Sequence, residues 1–192
     1  MPSGTIILIN GTSSSGKSSI VRALQQQSSL PYLDAGLDRF LWMLPSRYLD
    51  RPLWDDVLGL ASSAGQTGHA LVRAMHRAIV SLSHSGMNIV ADHVLVEPDW
   101  VRDCAELLHE MPAFLIGVRC PLAVLEERER SRRDRTLGQA KKQFALVHAH
   151  DIYDLEVDTS LMSAQECAAA ILARVNSGEP PTAFYQLYHS AY

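Results

Sequence analysis

Residues Gly11-Thr12-Ser13-Ser14-Ser15-Gly16-Lys17-Ser18 follow the spacing G-x-x-x-x-G-K-[ST], and each residue type in it suits the grip of a polyphosphate. Gly11 and Gly16 let the backbone turn and approach where a Cβ would obstruct. The N–H groups of Ser13, Ser14, Ser15 and onward to Ser19 then face phosphate oxygens at the start of a helix. Lys17 brings a mobile positive charge to the β- and γ-phosphates, and the Ser18 hydroxyl is placed to hold Mg²⁺. A chance turn of small residues would lack the right neighbours. Here the β-branched run Thr5–Asn10 precedes the loop, and Ser19–Leu24 continues at helical spacing. ATP and Mg²⁺ are the expected cofactors.

Two carboxylates fit the remaining chemistry. Phosphoryl transfer needs one group to orient or deprotonate the accepting hydroxyl and another to steady the metal. Asp38 suits the first role and Asp92, with Ser18, the second. The alternative for Asp38 is the N-cap of a helix beginning at Arg39-Phe40, and for Asp92 a strand-end turn residue. His93 is placed either to touch an acceptor or to serve the core. Phe40 and Trp54, with Trp42 and Met43, would suit an aromatic acceptor or fill the interior. Arginines recur in Glu126–Arg135, and a guanidinium holds two phosphate oxygens at once. A segment over 127–140 is therefore expected to act as a lid that excludes water, with Arg128, Arg132, Arg133 and Arg135 as phosphate or nucleotide contacts. The alternative is a solvated helix face laced with Glu–Arg pairs.

Positioning these groups takes alternating strands and helices. Strands are expected at Thr5–Asn10, Tyr32–Leu37, Asn88–Asp92, Pro112–Cys120 and Tyr153–Asp158, with helices at 17–27, 67–82 and 98–110 and after Pro121. Ser163-Ala164-Gln165-Glu166 is a capping box that opens the last predicted helix. The pattern implies an α/β fold: a doubly wound, parallel, five-stranded sheet with helices on both faces and an arginine-bearing lid. Residues 46–68 are irregular and read as a surface connection or a substrate-covering segment. The aromatic tail with Phe184, Tyr185, Tyr188 and Tyr192 packs back on the domain or forms a homo-oligomer contact. Asp158-Thr159-Ser160 takes the place from which such folds often build an adenine pocket. His148 and His150 have no third ligand at helical spacing, which argues against a metal site.

Composition narrows the function class. The 192 residues fit one domain, 1–192, and the net charge of -4 argues against a nucleic-acid or membrane-surface binder. No apolar run reaches the roughly 18 residues of a membrane helix, and Met1-Pro2-Ser3-Gly4 lacks the regions of a signal peptide. Three scattered cysteines form neither a disulfide framework nor a zinc site, so a cytoplasmic protein is expected.

The chain resembles the chloramphenicol phosphotransferase family of small ATP-dependent kinases. The stretches that carry the resemblance are Ile7–Ser18, Gly36-Leu37-Asp38, Ile89–Val94, Gly117–Pro121, Glu127–Arg130 with Arg132–Arg135, Val147-His148 and Tyr153–Thr159. They span the chain to about residue 175. The resemblance implies that Asp38 is the base for the acceptor hydroxyl and that Arg132 and Arg135 lie near the transferred phosphate, with Lys17 and Ser18 at the nucleotide. It implies a small-molecule acceptor, chloramphenicol at its 3-hydroxyl, or else an endogenous metabolite or nucleoside. The chain departs from the family pattern at 47–68, which is shorter, and at His93, where the drug-modifying enzyme has an acidic residue. A nucleotide-gated binding module is disfavoured, because no N-K-x-D guanine-reading motif occurs.

Overall fold

The computed structural model describes residues 2–45, 61–131 and 138–190, with the backbone alone at 61–66. Trp54 and the arginines Arg132, Arg133 and Arg135 lie outside the described residues.

Strand β1 (Ile6–Asn10) is buried at every position and forms the centre of the sheet. It pairs in parallel with β3 (Asn88–His93) on one side, Ile6 opposite Ile89, and with β4 (Ala113–Arg119) on the other, Ile6 opposite Ala113. β2 (Tyr32–Asp34) flanks β3 and β5 (Leu155–Asp158) flanks β4, so the order is β2-β3-β1-β4-β5. The chain leaves β1 for β2 on one side, whereas it leaves the adjacent β4 for β5 on the other. Such a switch point opens a crevice at the strands' carboxyl ends, and the loop after β1 begins there.

Alternation along β1 assigns the two core layers. Ile7 and Ile9 face α1 (Lys17–Gln27) and α7 (Ala164–Val175), packing on Ile20, Leu24 and Ile171. Ile6 and Leu8 face the opposite way, toward α2 (Leu37–Leu41), α3 (Ala61–His84) and α4 (Pro98–Leu108), through Leu41, Met75, Ile79 and Trp100. Each such side chain, fully withdrawn from water, contributes roughly 1.5–3 kcal/mol. The capping box at Ser163 is present, with Ser163 Oγ accepting the Glu166 N–H.

The structure refines several of the expected boundaries, and β2 ends at Asp34 rather than Leu37. Helix α3 begins at Ala61 rather than near Thr67, so 61–68 is helical and not an irregular connection. Gly65 and Gly68 lower helix propensity, but α3 packs against the sheet, and tertiary burial outweighs propensity. At the expected lid, 127–131 belongs to α5 (Leu122–Ser131), while α6 (Gln139–Phe144) starts at its other end. The tail forms α8 (Ala183–Ser190), whose Ala183, Phe184 and Leu187 are buried in the α3–α4 layer. The buried Asp154 carboxylate fixes this helix: it accepts the N–H groups of Thr182 and Ala183 through Oδ1 and of Leu115 through Oδ2. Among the described residues, no helix is long and apolar enough to cross a membrane.

Candidate active site

The loop after β1 curls tightly. A Cβ on Gly11 would meet Val118 O at 2.8 Å, which explains the glycine. Gly16 adopts a φ of 92° and caps α1, and Ser14 also lies in the left-handed region. Ser13, Ser14 and Ser15 are buried, yet their hydroxyls find no hydrogen-bond partner among the described residues. Unpaired buried hydroxyls are destabilising, and they suit a ligand rich in oxygen. Lys17 is almost wholly buried, with Nζ donating to Gly11 O at 2.8 Å and Thr12 O at 2.7 Å. Its charge thus rests against the carbonyls of the loop. Ser18 is exposed and Ser19 half-buried at the first turn of α1.

Asp92, at the end of β3, accepts the Ser18 hydroxyl at 3.0 Å. A serine hydroxyl and a carboxylate side by side form a hard, oxygen-only donor set that fits Mg²⁺. Asp38 lies in the first turn of α2, and Gly36 rather than Asp38 caps that helix. Asp38, Asp92, Lys17, Ser18 and the loop serines Ser13 and Ser14 all line one cavity. Burial first, and then the neighbouring Asp38 charge, raise the Asp92 pKa, while Lys17 and the Ser18 hydroxyl oppose the rise.

Two expected results follow for this carboxylate. A folded-state pKa above the unfolded value makes the ionised form a burden on folding once pH rises through it. Asp92→Asn should therefore raise the melting temperature of the ligand-free protein at neutral pH by a few degrees while weakening Mg²⁺-nucleotide binding, readable by calorimetry. An equal or lower melting temperature would remove the burial argument. The second result concerns Gly36, whose φ of -66° suits alanine, although a Cβ there would overlap Asp92 Oδ1. Gly36→Ala should fold normally and lose about 10–100-fold in Mg²⁺-dependent nucleotide affinity. Titration calorimetry with and without Mg²⁺ checks this, since displacement of Asp92 leaves Mg²⁺-free binding unchanged.

A second group of side chains braces the loop from the α5–α6 side. Arg128 donates to Thr159 Oγ1 at 3.0 Å and Thr159 O at 2.7 Å, and Thr159 Oγ1 in turn donates to Ser15 O at 2.8 Å. Gln143 Oε1 accepts the Ser13 N–H at 2.7 Å, and buried Glu129 accepts the N–H groups of Gly138 and Ala140. Glu129 thereby ties α5 to the start of α6, whereas the sequence offers no motif for Gln143. Only the fold brings Gln143 to the loop.

Asn10 joins three segments at the base of the site. Its Nδ2 donates to Val147 O at 2.7 Å and to Tyr153 OH at 2.8 Å, and its Oδ1 accepts the Leu95 N–H at 2.8 Å. Tyr153 OH also meets His148 Nδ1 at 2.6 Å. Burial holds His148 and His150 neutral, each with its pKa lowered to about 4. Of the residues expected at an acceptor, Phe40 packs partly buried against the core and His93 is fully buried, its ring turned toward His76.

A model of chloramphenicol phosphotransferase-like proteins matches residues 4–176. The chain belongs to that family. It is 32% identical over 200 residues to a Mycobacterium tuberculosis protein named "Putative O-phosphotransferase", covering 97% of this chain and 89% of that one. Among solved structures it is similar to a sugar kinase from Janibacter, with TM-score 0.64, 14% identity and coverage of 92% and 96%. It is also similar to the Mycobacterium tuberculosis APS kinase CysC in complex with AMPPNP and APS, with TM-score 0.57, 18% identity and coverage of 91% and 99%. Family and fold agree that this family member is a small-molecule kinase, a phosphotransferase that acts on hydroxyl groups.

Proposed function

We propose that the protein moves the γ-phosphate of ATP to a hydroxyl of a small molecule presented to Asp38, and that chloramphenicol, as an antibiotic to be inactivated, is the first acceptor to test. The observation that supports this reading most is the single cavity in which Asp38, Lys17, Asp92 and Ser18 meet below the loop serines. The loop N–H groups and Lys17 bind and orient the β- and γ-phosphates. Ser18 and Asp92 would hold Mg²⁺, which when bound neutralises charge on the phosphate oxygens. Asp38 takes the acceptor's hydroxyl proton as the oxygen attacks. Arg132 and Arg135 are assigned to the transferred phosphate on the family resemblance, and Arg133 to the nucleotide on its place in the arginine cluster. A cavity lined by Gly16, Ser19, Arg128, Thr159 and Met162 suits the nucleoside end. The reaction belongs to the cytoplasm, where ATP and Mg²⁺ are supplied.

One observation favours an endogenous acceptor instead of the drug. At the position where, by the family resemblance, the drug-modifying enzyme has an acidic residue, this chain carries His93, which lines the cavity of Asp38 and Asp92 without bringing a negative charge to it. The deciding experiment incubates the protein with ATP and Mg²⁺, with and without chloramphenicol, and follows the drug by mass spectrometry. A gain of one phosphoryl group establishes the drug as acceptor. Nucleotide binding without drug product assigns the acceptor to another hydroxyl compound.

A further inference from the structure

We propose that His76 and Asp103 are positioning residues, which lock His93 in one tautomer and thereby hold the Asp92 end of β3 against the nucleotide loop. Four groups form a continuous chain through the layer between β3, α3 and α4. The Val94 N–H donates to His93 Nδ1 at 2.7 Å, His93 Nε2 lies 2.9 Å from His76 Nε2, and His76 Nδ1 lies 2.6 Å from Asp103 Oδ2. His93 is 0%, His76 2% and Asp103 9% exposed, and Arg77 from α3 holds the other Asp103 oxygen at 3.2 Å.

Only one arrangement of hydrogens satisfies all three contacts. A backbone N–H can only donate, so His93 Nδ1 carries a lone pair and the hydrogen of the neutral ring sits on Nε2. That hydrogen needs an acceptor, so His76 Nε2 also carries a lone pair and His76 is protonated at Nδ1. The Nδ1–H then points at the Asp103 carboxylate, a charge-assisted bond that fixes the His76 ring. A ring that accepts a hydrogen bond at Nδ1 is not doubly protonated, so the contact itself makes His93 a neutral imidazole. The Cys104 thiol lies 3.3 Å from His76 Nε2 and Trp100 meets the His93 ring edge-on, so the chain is walled on its α4 side.

The far end of this chain is the nucleotide loop. The carbonyl of His93 accepts the Gly11 N–H, the first of the motif, and its backbone follows directly from Asp92. Fixing the imidazole therefore fixes the peptide that orients Asp92 toward Ser18. A buried polar chain of this kind is less stabilising than apolar side chains of the same volume, and it is justified by orientation.

The proposal rests on the kinase reading, and its test separates the two. Histidine ¹⁵N spectra of the full chain with MgADP should show His93 protonated at Nε2 and His76 at Nδ1. In parallel, Asp103→Ala should weaken MgADP binding and raise KM for MgATP about tenfold, with kcat at saturation little changed. Asp103→Asn, which keeps an acceptor oxygen, should restore most of the affinity. His93 protonated at Nδ1, or a folded Asp103→Ala protein with wild-type MgADP affinity, would overturn the assignment. Should Asp103→Ala fail to fold, the wild-type spectrum decides alone. Failure of the wild-type protein to bind MgADP would refute the kinase reading, and the spectrum without nucleotide would still decide the tautomers.

Discussion

Replacing Lys17 with alanine is expected to lower phosphoryl transfer about a thousandfold, the loss typical of removing one preorganised charge from a developing transition state. The side chain is buried and held on Gly11 O and Thr12 O, so it enters the reaction already placed. The loop should keep its shape in the variant, because its curl comes from Gly11, Gly16 and the Thr159 bond to Ser15 O. The melting temperature should therefore stay near that of the wild type while product formation collapses. A variant that folds and turns over at near-normal rate would remove Lys17 from the chemistry.

The second large effect is expected at Asp38. Asparagine keeps the shape and the hydrogen-bonding reach but cannot take a proton, so transfer should fall about 10²–10⁴-fold, the usual worth of a positioned base. Asp38 is half-buried in the first turn of α2, lines the cavity with the loop and acts electrostatically on Asp92, so nucleotide affinity and melting temperature are measured beside turnover in the variant. Slow hydrolysis of ATP by water should survive in Asp38→Asn, since water also reaches the phosphate from bulk. Equal loss of hydrolysis and transfer would instead make Asp38 part of the nucleotide grip. Measuring phosphate release and acceptor phosphorylation side by side separates the two.

Much of the framework was legible in the chain itself. Runs such as Ile6–Ile9 and Ala113–Val118 are apolar without alternation because both faces of a parallel strand are covered. The glycines and lysine of the loop were legible because their chemistry demands a fixed spacing. The partners that aim the loop were not. Gln143 meets Ser13 across 130 residues of sequence, and Asp103, His76 and His93 come together only when α3, β3 and α4 pack. Such pairings leave no local period, since any polar residue on a helix reads as surface until its neighbour is known. The start of α3 was hidden because its first turns carry Gly65 and Gly68, which lower helix propensity, whereas the residues that pack on the core, such as Val72, Met75 and Ile79, come later. The aromatic tail was ambiguous because Phe184 and Leu187 bury one side of α8 while Tyr185 and Tyr188 remain exposed on the other.

That last helix also has a bearing on how the protein is made. A chain leaves the ribosome from its amino end, and domains tend to gain structure in that order. Here the layer built on Trp100, Cys104 and Leu108 is closed by Phe184 and Leu187, and the Asp154 carboxylate, made earlier, awaits the two N–H groups that secure α8. Nascent chains that stall or end before residue 183 present an apolar strip along α4, the kind of surface that chaperones and proteases recognise. The segment 183–190 thus acts as the cover that shields this face of α4 from such factors.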